Sequence, residues 1–75
     1  MSNTSDFLKI KRIKSLSSYK LLDRYSSYEL VGYIITKISS ANSYYQVMFA
    51  IFDKNKIISI SESKTDIYNT FNALK

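Results

Sequence analysis

Glu29-Leu30-Val31-Gly32-Tyr33-Ile34-Ile35-Thr36-Lys37-Ile38-Ser39 is the run that decides the fold. Its density of Ile, Val and Tyr, with no Pro, suits an extended strand better than a helix. Two runs of the same character follow at residues 44–53 and 56–62, separated by Ser40-Ala41-Asn42-Ser43 and by Lys54-Asn55. Apolar runs joined by short polar loops predict a three-stranded antiparallel meander over residues 28–62. A tip at Lys54-Asn55 sets Asp53 against Lys56, Phe52 against Ile57, Ile51 against Ile58 and Phe49 against Ile60. A loop at residues 40–43 sets Ile38 against Tyr45 and Ile34 against Phe49. One face then gathers Leu30, Ile34, Ile38, Tyr45, Val47, Phe49, Ile51, Ile58 and Ile60, the expected core face.

Outward from the meander, residues 63–75 read as a helix. Ser63 is placed as an N-cap with Asp66 three residues on, and Ile67, Phe71 and Leu74 follow at i, i+4 and i+7. This helix is expected to cross the core face. On the other side, residues 1–27 read as a basic helical segment. Leu8 and Ile10 alternate like a strand while Phe7, Ile10 and Ile13 have helical spacing, of which the helix is the reading taken, and Tyr19, Leu22 and Tyr25 predict a second short helix behind Ser17 and Ser18. The expected architecture is α+β: an N-terminal helix, a three-stranded antiparallel meander and a C-terminal helix packed on one face, in one domain spanning residues 1–75.

The same register leaves Val31, Tyr33, Ile35, Met48, Ala50, Phe52 and Ile57 on the second face, which is apolar as well. One helix does not cover both sides. Either the N-terminal segment folds back over this face or another chain does, and in the second case Val31, Tyr33, Ile35, Met48, Phe52 and Ile57 form the protein-binding set.

The 75 residues contain no Cys and no His, which excludes disulfides, the usual zinc ligand sets, Cys nucleophiles and imidazole acid/base chemistry. Six carboxylates are spread along the chain without metal-ligand spacing, so no catalytic residue, metal or cofactor is expected. The net charge of +5 is concentrated early: residues 1–27 hold six bases and two acids, residues 28–75 five and four. Lys9, Lys11, Arg12, Lys14, Lys20, Arg24 and Lys64 are the candidate contacts to RNA or to an acidic protein surface. A polar N-terminus and no apolar run of spanning length point away from a leader or a membrane and toward the cytoplasm.

Two resemblances bear on function. Tyr28-Glu29-Leu30-Val31 resembles the first strand of double-stranded-RNA-binding domains, Tyr45-Gln46-Val47-Met48-Phe49 resembles their second strand, and Ser63-Lys64 stands where their Ser-Lys-Lys opens the last helix. Thr65 and Tyr68 replace the other two lysines of that set, so the resemblance implies a degenerate member that binds protein more readily than RNA. Ile60-Ser61-Glu62-Ser63 with Ile67 and Phe71 resembles the strand-to-helix junction of a small phage-encoded anti-CRISPR inhibitor. This implies a non-enzymatic inhibitor or regulator from a phage or mobile element, docked on a host protein or ribonucleoprotein complex in the host cytoplasm. The alternatives are a basic RNA-binding module and a small homodimeric structural subunit.

Overall fold

The computed structural model describes residues 2–75 and, of their side chains, those from residue 5 on. The described residues form an α+β fold in which α1 (Ser2–Lys14) is followed by strands β1 (Lys20–Tyr25), β2 (Tyr28–Ser39), β3 (Asn42–Asp53) and β4 (Lys56–Ser61), and by α2 (Lys64–Ala73). The sheet is an antiparallel meander in chain order.

The sheet has four strands where the sequence predicts three. Residues 20–25, expected as a helix, form an edge strand joined to β2 by a two-residue turn at Ser26-Ser27. Six residues are too few for a helix without tertiary support, whereas the outer edge of β2 offers unpaired N–H and C=O groups. Strand β1 is exposed except for Leu22, which a bulge turns inward. It meets the backbone at Gly32, where an added Cβ would sit 3.2 Å from Leu22 Cδ1. Gly32 is thus explained by this close approach, with Leu22 and Phe49 as its neighbours.

Two registers also differ from expectation. The β2–β3 turn is Ser40-Ala41 alone, so Ile34 faces Val47 and Ile38 faces Ser43. The slip is by two residues, which leaves every side chain on its predicted face. In the β3–β4 pair Asp53 faces Lys56 and Phe52 faces Ile57 as expected, but a bulge then sets Ile51 against Ser59 and Ala50 against Ile60. That extra residue ejects Ile58 and moves Ile60 to the opposite face.

A helix packs on each face. Under α1, Ile10 and Ile13 close on Val31, Tyr33, Ala50 and Phe52, with Leu16, Tyr19, Ile35, Met48, Ile57 and Ile60 around them. Under α2, Ile67 and Phe71 close on Leu30 and Ile51. The second apolar face is therefore covered by the chain's own N-terminus: Val31 and Phe52 are fully buried, Tyr33 is 5% exposed, and Ile35, Met48 and Ile57 are half-buried. These six residues are core, and the protein-binding role considered for them is withdrawn.

Polar bonds fix the ends of the layers. The Ile57 N–H donates to Asp6 Oδ2 at 3.2 Å, tying α1 to β4, and Ser27 Oγ donates to Asp53 Oδ1 at 2.7 Å. The Asp66 N–H donates to Ser63 Oγ at 3.2 Å, which gives α2 its predicted cap, while the Ser63 N–H is taken by Ser61 Oγ at 3.0 Å. Because α1 covers core, Ile13→Ala should lower stability by about 2–4 kcal/mol in urea titration, whereas Phe7→Ala, at an exposed position of the same helix, should cost less than about 1 kcal/mol.

Candidate functional site

The site follows from a mismatch of lengths. At about 3.3 Å per residue, the 12-residue strands β2 and β3 reach roughly 40 Å, whereas the 10 residues of α2 reach roughly 15 Å. Strand β1 begins opposite Gly32 and β4 ends opposite Phe49, so residues 34–47 continue as a two-stranded arm.

Side chains of this arm alternate between the two sides of the sheet. On the α1 side the pairs beyond Tyr33 and Met48 are mixed, Ile35 facing half-buried Gln46 and Lys37 facing Tyr44, which is 48% exposed. Toward α2 the sequence stays apolar. Ile34 and Val47 face each other at 42% and 48% exposure, and beyond them Ile38 and Tyr45 are 81% and 79% exposed. Between them lie only Thr36 and Ser43. Isolated exposed apolar residues are ordinary, but four on one continuous face make this the candidate docking surface.

Ser18 anchors the root of the arm. The Ile34 N–H donates to Ser18 Oγ at 2.9 Å, which satisfies the edge of β2 just past the end of β1. Around this anchor lie two shallow hollows, one of about 330 Å³ between Ser17, Ser18, Ile34, Thr36 and Tyr45, the other of about 210 Å³ beside Leu22, Gly32, Val47 and Phe49. Lys20 stands at the margin of the second. All six carboxylates lie outside residues 34–47, and Lys37, on the other side of the arm, is the sole charge within them.

The predicted basic set does not form one surface. Lys9, Lys11 and Arg12 are exposed on α1 and have no ion-pair partner among the described residues; exposed Phe7 and Leu8 stand with them. Lys14 and Arg24 both bind Glu29, at 3.2 and 2.7 Å. Lys64 is on α2, across the sheet, with Nζ 5.9 Å from the Tyr68 ring centroid. Lys20 lies on the α2 side as well.

Ile34, Ile38, Tyr45 and Val47 are the residues that sequence reasoning assigned to the core. Their faces were right and their cover was not. The signal was available in lengths, since the strand pair outruns any helix drawn from residues 63–75.

No known family model matches this chain, and neither does any curated protein or solved structure. No described helix is long and apolar enough to cross a membrane.

Glu29 joins β2 to both basic elements around it. Partial burial pushes its carboxyl up, but hydrogen bonds from Lys14 and Arg24, with their charges, outweigh this and hold it below the ordinary value of 4.5. A lowered folded-state value means that the bridge stabilises fully above the unfolded value and that this contribution is lost as pH falls through the folded one. The stability difference between wild type and Glu29→Gln, measured by urea titration at a series of pH values, should be constant above the carboxylate range and shrink toward acid.

Proposed function

We propose that this chain is a small non-enzymatic binding protein that docks through the α2 side of the β2–β3 arm. The observation that carries this reading is the uncharged apolar face of Ile34, Ile38, Tyr45 and Val47, exposed beyond the cover that α2 gives to Leu30 and Ile51. Tyr and Ile at the centre of a surface supply anchor area at small entropic cost, and the surrounding Ser and Thr hydroxyls suit a hydrogen-bonded rim. Its role is that of an inhibitor or regulator, acting by occupying a surface. The likeness to anti-CRISPR inhibitors adds the expectation that the regulated system is a host effector complex.

The test is site-specific cross-linking. A photoreactive phenylalanine analogue placed at Tyr45 should give discrete protein adducts, and the same analogue at Lys11 should not. Ile38→Asp combined with Tyr45→Asp should remove the adducts captured by a probe at Val47 while the circular dichroism spectrum stays unchanged, because both side chains are exposed. Adducts that form equally at Lys11 would overturn the reading.

A second reading rests on a different surface. Lys9, Lys11 and Arg12, with exposed Phe7 and Leu8, give α1 the residue types that contact phosphate and stack on bases. If that surface binds single-stranded RNA with three phosphate contacts, the binding constant should fall roughly as the second power of salt concentration. The triple substitution Lys9→Glu, Lys11→Glu, Arg12→Glu should abolish binding in a fluorescence-anisotropy titration. A salt-independent affinity, or one retained by the triple variant, would remove this reading.

A further inference from the structure

Resting on the arm as the docking region, we propose that its occupant is an extended segment of a different polypeptide, added as a further antiparallel strand on the free edge of β2 and reading apolar, acidic, apolar in alternation.

The backbone of the arm carries the argument. Ser39 and Asn42 close a two-residue turn, so odd-numbered residues in this part of β2 aim their N–H and C=O at β3, and even-numbered ones aim theirs at the opposite edge. Ser18 marks that direction: its hydroxyl accepts from the Ile34 N–H at 2.9 Å and donates to the Ile34 C=O at 3.4 Å, standing in for the strand neighbour that β1 supplies only as far as Gly32. Beyond Ser18 the edge is open. Among the described residues no donor or acceptor meets the outward N–H and C=O of Thr36 or Ile38, and both residues are exposed. On the other edge of the arm, by contrast, Gln46 Nε2 donates back to the Val47 C=O at 3.1 Å. Residues 34–39 pair with β3 without a bulge and contain no Pro, so the open edge is straight and every residue on it can enter a ladder. Unpaired backbone groups in a row are the feature that an added strand recognises, with the alternate side chains supplying specificity.

Those side chains define the occupant. Thr36 and Ile38 would form the hydrogen-bonded pairs of the new ladder, which puts the residue opposite Lys37 in a non-hydrogen-bonded pair, where Cα atoms approach to about 4.5 Å and side chains are closest. Lys37 is the sole charge of the arm, so a carboxylate opposite it is attracted and a base repelled, and the net charge of +5 acts in the same sense at longer range. The residues before and after that carboxylate point to the α2 side. The one opposite Thr36 enters the hollow of about 330 Å³ between Ser17, Ser18, Ile34, Thr36 and Tyr45. Thr36 is small, and a large apolar side chain beside it reaches across to Tyr45, the β3 partner of Thr36. The one opposite Ile38 covers a side chain that is 81% exposed.

The test is selection of peptides on the full chain from a phage-displayed library of random decapeptides. Enriched peptides should share an acidic residue flanked by two apolar ones. With such a peptide bound at saturation, amide hydrogen exchange followed by NMR should slow at Thr36 and Ile38 by about tenfold or more, and methylating the peptide nitrogens at the two apolar positions should abolish binding. Lys37→Glu should weaken the acidic peptide by about tenfold and favour a version with Lys at its centre. Enrichment of no peptide would overturn the proposal, and so would peptides that leave exchange at Thr36 and Ile38 unchanged or bind Lys37→Glu equally well. The Tyr45 cross-linking probe separates the two levels: protein adducts without peptide enrichment keep the docking face and remove the added strand, whereas no adducts remove the docking face itself.

Discussion

Everything in this fold depends on β2 and β3 being apolar on both sides. A strand pair with one wet face needs a single layer of cover, but Val31, Tyr33 and Phe52 point one way and Leu30, Ile51 and Phe49 the other. The chain therefore divides its helices between the faces. Strand β1 can be an exposed edge because it contributes backbone pairing and only Leu22 to the interior. The three-layer arrangement is a consequence of this alternation, and so is the remnant that two short helices leave uncovered.

Much of this was legible in the sequence, for reasons particular to each element. The β3–β4 tip at Lys54-Asn55, the N-cap at Ser63 and the buried pair Ile67 and Phe71 are local signals, and tertiary context left them in place. Residues 20–25 misled because Tyr19, Leu22 and Tyr25 are spaced like a helix, while the deciding factor was an open sheet edge elsewhere in the chain. Ile58 and Ile60 misled because a bulge moves one residue without any Gly or Pro to announce it. The arm was hidden by a different omission. Periodicity assigns a side chain to a face, but only the relative lengths of the layers say whether anything lies above it.

The basic residues show how sequence proximity differs from surface proximity. Lys9, Lys11 and Arg12 lie on one side of the sheet, and Lys64 and the apolar arm face on the other. The apolar arm face and the Lys9, Lys11 and Arg12 cluster therefore do not share one footprint, and of the predicted basic set Lys20 and Lys64 lie on the arm's side. Two independent surfaces result, with Glu29 absorbing Lys14 and Arg24 into the structure.

The bond between the Asp6 carboxylate and the Ile57 amide spans 51 positions along the chain. Every hairpin pairs neighbours in sequence, so the sheet can assemble progressively as residues leave the ribosome. Helix α1 is made first, yet its docking site is finished only when β4 has emerged. During that interval the aromatic side of the growing sheet, with Tyr33 and Phe52, has no lid. The order of synthesis thus opposes the order of closure, and the nascent chain passes through a stage in which one apolar face of the sheet is open to solvent.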